Sequence, residues 1–311
     1  MNSVKAIAPA TVANVTCGFD VFGFAVEHPF DEVTVTLKDE PGVVISKIIG
    51  DDGRLPLVAE KNTASVAILE FLKATGIEKG ISIELAKHLP LGSGMGSSAA
   101  SSVAALVAVN HLFGEPKKKH ELLPFAMEAE RVACGSGHAD NVAPSLIGGF
   151  VLVRGYDPLD VISIPTPDSL YCTLVHPQLE LKTEDSRKVL KVSVTLKDAV
   201  KQWGNIAGMV AGLMQSDYDL IGRSMHDYIV EPIRSVLIPG FENIKDLALK
   251  AGALGSGISG SGPTIFSLSK DVETARKVGE VMQKHFDHFE VDSEMYVSKI
   301  NSKGAVVTSN Y

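Results

Sequence analysis

The residues whose types and spacing could carry chemistry begin with Pro90-Leu91-Gly92-Ser93-Gly94-Met95-Gly96-Ser97-Ser98-Ala99-Ala100. Alternating glycines let the backbone reach positive φ and turn its N–H groups toward one point without Cβ atoms in the way. Ser97 to Phe113 follows with no Gly or Pro and is filled with Ala, Val and Leu, so it predicts a helix. A glycine loop that opens a helix offers unpaired N–H donors together with the positive end of the helix dipole, which suits a di- or triphosphate. The chain has no Gly-Lys-Ser/Thr of a Walker loop, so a phosphate-binding lysine is elsewhere or absent.

Other polar groups stand out along the chain. Asn14 and Asp20 flank a turn at Gly18, where short polar side chains either cap the turn or face a ligand. Glu128 and Glu130 fall toward the C-terminal end of a predicted helix, Glu121 to Val132, where the dipole disfavours carboxylates. Either they are exposed charge on a wet face, or one of them is held to bind a cation. Gly135 to Pro144, containing His138, Asp140 and Asn141, predicts a polar loop of small residues, a good place for chemistry. His285 and His288 have no third ligand type clustered with them, which favours surface histidines over a metal pair.

The elements that must position these groups are both helices and strands. Val4 to Ala8 and Thr11 to Val15, split at Pro9, read as extended, and Asp31 to Leu37, Val43 to Ile48 and Ile81 to Ala86 read as strands. The last of these feeds the glycine loop. Asn62 is placed to cap a helix that runs to Thr75 and stops at Gly76. Trp203, Ile206, Met209, Val210, Leu213 and Met214 recur at helical spacing and predict core, after which Glu231 to Arg234 interrupts the helices. Gly255, Gly257 and Gly260 satisfy GxGxxG, but Pro263 and the strand-like Thr264 to Leu268 follow where a dinucleotide-binding unit needs a helix. Strand, glycine turn, strand is the better description. A change of character at Pro165 to Asp168 divides the chain into two α+β domains, residues 1–166 and 167–311.

Composition excludes several classes. A net charge of −8 argues against nucleic-acid and anionic-membrane partners. Three cysteines, Cys17, Cys134 and Cys172, at wide spacing suggest neither a disulfide framework nor a zinc ribbon. Met1 to Val15 lacks the apolar core of a signal peptide, and the apolar helix after the glycine loop is too short to span a bilayer. A soluble cytoplasmic protein is the expectation.

Three blocks in this order, Pro9 to Asp20, Pro90 to Ala100 and Gly255 to Pro263, resemble the GHMP kinase superfamily over nearly the whole chain. Pro9-Ala10-Thr11-Val12-Ala13-Asn14 and Gly137-His138-Ala139-Asp140-Asn141-Val142-Ala143-Pro144 are most similar to its homoserine kinase branch; mevalonate kinase-like members tend to carry Lys where this chain has Thr11. The fold implied is two α+β domains, the first with a left-handed βαβ unit and the second ferredoxin-like. The activity implied is ATP-dependent phosphorylation of the L-homoserine hydroxyl on the route to threonine. A mevalonate-type kinase and a non-catalytic ligand-binding member are the alternatives.

The resemblance also implies roles. ATP would lie on the loop from Pro90 to Ala100, with Asn62 and Lys87 beside it, and Mg2+ on Ser98 and Glu130. Asp20 and Asn14 would take the ammonium of the acceptor and Arg187 and Arg234 its carboxylate, with Thr183, His138, Asn141 and Gly260 nearby. Arg suits a carboxylate because its planar fork makes two parallel bonds. Ser98, Glu130, Asp140 and Asn141 form the catalytic set; Asp140 matches the aspartate proposed as catalytic in mevalonate kinase-like relatives, and transfer by positioning and magnesium alone stays open. Homoserine and ATP are the implied partners, and a homodimer is compatible with the family.

Overall fold

The computed structural model describes residues 2–181 and 183–310, with the side chains of residues 133, 134, 183 and 310 outside the described set. In order, the chain forms β1 (Ser3–Ala13), β2 (Phe22–Lys38), β3 (Val43–Ile49), α1 (Thr63–Thr75), β4 (Gly80–Ala86), α2 (Ser97–Leu112), α3 (Leu123–Cys134) and α4 (Ala139–Ile147). Then come β5 (Phe150–Tyr156), β6 (Leu159–Ile164), β7 (Tyr171–Pro177), α5 (Thr183–Lys188), α6 (Leu196–Gln215), α7 (Tyr218–Ser224) and α8 (Glu231–Arg234). The last elements are α9 (Phe241–Ala251), β8 (Gly255–Ile258), β9 (Ile265–Ser269), α10 (Val272–Asp287), β10 (Ser293–Lys299) and β11 (Val306–Asn310).

Two sheets result. The first is ordered β11-β1-β2-β4-β3, with β5 on the early part of β2 and β6 beside β5. Here β3 and β4 run parallel, because α1 carries the chain back between them. The second sheet is antiparallel, ordered β10-β7-β9-β8. They share a core: Phe24 of the first sheet meets Phe266 of the second edge-on, with ring centroids 5.9 Å apart. α2 is apolar nearly all round and buried on most faces, as a helix at the centre of a core must be.

Local chemistry explains the helix ends. Asn62 Oδ1 accepts from the Ala64 N–H at the start of α1, and Gly76, at φ 67°, closes it. β1 runs unbroken through Pro9, with a register shift between Pro9 and Thr11 that absorbs the missing donor.

Three expectations are corrected and one unannounced strand is added. The stretch Ala139–Ile147 is a helix, not a loop, with Pro144 inside it. Pro144 cannot donate to the Asp140 carbonyl, and Gly23 packs so closely there that a Cβ would lie 1.9 Å from that oxygen. Tertiary packing overrides the proline. On α6 only part of the expected core is core: Met209 and Leu213 are buried, while Trp203 is 54% and Met214 62% exposed. The helix lies on the surface, and these two residues fall outside its inward stripe. Glu231–Arg234 is a helical turn, not an interruption. β11, which no pattern announced, returns from the C-terminal stretch to pair with β1 in the first sheet. Among the described residues no helix is long and apolar enough to cross a membrane.

Candidate active site

The loop between β4 and α2 has its three glycines at φ 66°, 79° and 69°, with Gly96 as the left-handed cap of α2. It packs on the glycine turn between β8 and β9. Ser259 Oγ donates to the Gly94 carbonyl at 2.8 Å, and the Thr264 N–H donates to the Ser93 carbonyl at 3.2 Å. A Cβ on Gly94 would lie 2.4 Å from the Ser259 carbonyl oxygen, so a glycine is required there by the neighbouring turn as well as by φ. Met95, Ala99 and Ala100 are fully buried and point into the core, so what they can offer a ligand is backbone. Pro90 lies to one side, on a smaller hollow lined also by His176 and Glu180.

Beneath the loop is a buried ion pair. Lys87 Nζ contacts Asp31 Oδ2 and donates to the Ser97 carbonyl at 2.8 Å and to Ser101 Oγ at 2.9 Å. Asp31 Oδ1 accepts from the N–H groups of His88 and Leu89 at 2.8 and 3.0 Å. Lys87 thus binds the loop to the sheet. No motif singles out Asp31, although it falls in phase with the inward residues Val33 and Val35 of β2.

A cleft of about 560 Å3 runs from this loop toward the second sheet. Asn62, Lys87, Gly92, Ser98, Glu130 and Asp140 all border it, as do Asn14, Asp20, His138, Asn141, Arg187, Arg234 and Gly260. The two glutamates on α3 part company: Glu128 pairs with Arg131 at the surface, while Glu130 is 3% exposed and faces the cleft. Asn62 uses both ends of its amide locally, donating to the Pro56 carbonyl at 3.1 Å while capping α1. The Thr183 side chain lies outside the described residues.

Asp140 is buried in the first turn of α4, and no hydrogen-bond partner reaches its Oδ1 among the described residues. Burial, and then the negative charge of Asp20, pushes its carboxyl up to about 7. His138 is held below the usual histidine range by burial and by Arg187, with Nε2 2.8 Å from Ser136 Oγ. Asn141 Oδ1 accepts from Thr11 Oγ at 2.9 Å, which ties α4 to β1.

At the other end, Asn14, Val15 and Thr16 are consecutively left-handed, with φ of 70°, 40° and 58°. Backbone strain of this kind collects at functional sites. Asn14 bridges the halves, donating to the Gly260 carbonyl at 2.7 Å and accepting from the Asp20 N–H at 3.0 Å. Arg234 is 4% exposed and donates to the carbonyls of Ser186 and Gly260. Burial first, and then Arg187, lowers its pKa to about 10. Arg187 and Asp20, expected at opposite ends of the acceptor, contact each other instead at 2.5 Å. Opposite charges on one partly wet wall pair when nothing holds them apart. Phe19, Tyr156, Arg54 and Glu180 also belong to this region, and no spacing in the sequence had marked them for it; Tyr156 donates to the Asp20 carbonyl at 2.8 Å, and Arg54 pairs with Glu180 at 2.6 Å.

Residues 62–149 match the GHMP kinases N terminal domain, and residues 209–288 match the GHMP kinases C terminal family. The homoserine kinase of Chlorobium phaeovibrioides is 54% identical over 98% of this chain and 99% of that protein. The crystal structure of homoserine kinase from Cytophaga hutchinsonii is 59% identical, with a TM-score of 0.97 over 99% of this chain and 98% of that one. The chain belongs to the GHMP kinase family, in its homoserine kinase branch. Mevalonate kinase from Methanococcus jannaschii, at 15% identity and a TM-score of 0.70 over 95% of this chain and 98% of that one, shares this fold. The glycine loop and α4 fall within the residues that match the N-terminal family model, and together with the Asn14 to Asp20 turn they border one cleft.

Proposed function

We propose that the cleft transfers the γ-phosphoryl group of ATP to the side-chain hydroxyl of L-homoserine. The observation that carries this reading is the wall beside the phosphate loop, where one carboxylate, Asp20, and two guanidiniums, Arg187 and Arg234, face a single space. A zwitterion with a terminal hydroxyl fits those charges: its ammonium takes Asp20 and Asn14, and its carboxylate takes the arginines. Mevalonate has no ammonium to offer Asp20 in exchange for Arg187.

The residues would divide the work as follows. The N–H groups of Gly92 to Ser98 and the start of α2 hold the phosphates, with Lys87 and Asp31 fixing the loop from below. Glu130 and the Ser98 hydroxyl are hard oxygen donors on the same cleft. Mg2+ keeps waters and takes phosphate oxygens, so two protein oxygens beside a bound triphosphate would be enough to hold it. When bound there, Mg2+ would offset the charge that develops on the transferred group. Asp140, poised near neutrality, takes the hydroxyl proton as the new O–P bond forms and the bond to the β-phosphate oxygen breaks, releasing ADP. His138 and Asn141 line the acceptor side. Dependence on ATP and the free, buried thiols of Cys17 and Cys172 fit a cytoplasmic setting.

A coupled ADP-release assay with homoserine, mevalonate and galactose tests this. Homoserine should be favoured over mevalonate by at least about a hundredfold in kcat/KM, because a site built for an ammonium is left unpaired without one. Equal use of mevalonate would overturn the assignment.

A further inference from the structure

One side chain on the acceptor wall has no role in the reading above. The ring of Phe19 has the Arg187 Cζ 5.2 Å and the Arg234 Cζ 5.1 Å from its centroid. The two guanidiniums come from α5 and α8 in the second half of the chain, and the ring comes from the turn before β2. We propose that Phe19 is a positioning residue for the acceptor carboxylate, holding both guanidiniums at one ring against their mutual repulsion. This rests on the assignment of Arg187 and Arg234 to that carboxylate.

The charge count explains why a ring is needed. Arg187 has Asp20 as its anion, whereas the hydrogen bonds of Arg234 go to the neutral carbonyls of Ser186 and Gly260. Among the described residues no carboxylate forms an ion pair with Arg234, which is 4% exposed and feels the like charge of Arg187. Little water reaches Arg234, whereas Arg187 is 30% exposed. The negative face of an aromatic ring attracts a guanidinium without neutralising it, so both charges stay available to a ligand. The backbone on both sides of the ring is fixed: the Phe22 N–H donates to the Gly18 carbonyl at 2.9 Å, and Asp20, which follows Phe19, is held at its N–H by Asn14 and at its carbonyl by Tyr156. Gly18 admits this tight turn: a Cβ there would lie 2.3 Å from the Phe22 Cβ.

Phe19→Leu keeps apolar bulk and removes the π face, while Phe19→Tyr keeps the face. Without an aromatic face beside either guanidinium, the Leu variant should raise the homoserine KM by about five- to thirtyfold, with kcat and the ATP KM near the parent values. The Tyr variant should bind homoserine like the parent. In an Arg187→Gln background the effect of Phe19→Leu should shrink, since one of the two partners is gone. A Leu variant with the parent KM, a Tyr variant as impaired as Leu, or an undiminished Leu effect beside Arg187→Gln would each overturn the proposal. Failure of the carboxylate assignment itself reads differently: Arg187→Gln alone would then leave the homoserine KM unchanged, whatever Phe19 does.

Discussion

Arg187 Nη2 lies 2.5 Å from Asp20 Oδ1, so the two charges of the acceptor wall are each other's partner. Their side chains are 30% and 31% exposed. A pair this wet contributes about 1 kcal/mol or less, so a ligand bringing an ammonium and a carboxylate can exchange it for two new pairs at little expense. A ligand with only one of the two charges would strand a side chain. This exchange is the basis of the zwitterion recognition proposed for the site.

Asp20→Asn should therefore weaken homoserine about tenfold to a hundredfold by removing a charge-assisted bond, and leave ATP affinity nearly unchanged. Steady-state kinetics with homoserine and with 4-hydroxybutyrate separates the roles. The desamino compound should be about equally poor with parent and variant, and an equal further loss for both would mean that Asp20 does not bind the ammonium.

Asp31→Asn leaves the Lys87 ammonium buried without its carboxylate, since the two side chains are 0% and 1% exposed. Removing one member of a buried pair costs about 3–5 kcal/mol, readable as a lower urea midpoint. The ATP KM should rise with it, because Lys87 also donates to the Ser97 carbonyl at the end of the phosphate loop. Asp31→Asn combined with Lys87→Met should be more stable than Asp31→Asn alone; additive losses would show that the pair is not the unit that matters.

Glu130→Gln removes a charge at nearly constant volume from a residue 3% exposed on the cleft. Turnover should fall by about two or more orders of magnitude while the far-UV circular dichroism is kept. Isothermal titration of Mg2+ against the ATP-loaded variant should show weakened binding. Parent-like turnover at saturating Mg2+ would count against a metal-ligand role.

Local signals made the scaffold legible, and convergence of distant segments hid much of the site. Asn62 and Gly76 announce the ends of α1 because capping is decided within a few residues. The phosphate loop is legible for the same reason. The helix at Ala139–Ile147 was not, because Gly137 and Pro144 argue locally for a loop and only packing against Gly23 overrules them. Trp203 misled in the other direction, as an aromatic at helical spacing that lies outside the buried stripe. Phe19 lies inside the Pro9 to Asp20 block, but no spacing rule gives its contacts. Its partners Arg187 and Arg234 lie far along the chain, and only folding brings two separate segments to this ring.

The role proposed for Asp140 sets the requirements of stability and catalysis against each other. Its carboxyl rises from 3.8 to about 7 through burial and the charge of Asp20. Between those values the folded protein keeps a proton that the unfolded chain has released, so stability falls as pH rises across the window, and the deficit is complete above about 7. As a base the group works only when ionised, so kcat should fall about tenfold per unit as pH drops below about 7. Asp140→Asn removes the ionisation while keeping the shape. Its turnover should be low and lack that acid limb. Its melting temperature should exceed the parent's at about pH 8 and approach it near about pH 4, where both side chains are neutral. Parent-like turnover in the Asn variant would show that transfer proceeds by positioning alone, whereas an unchanged acid limb would assign the ionisation to another group.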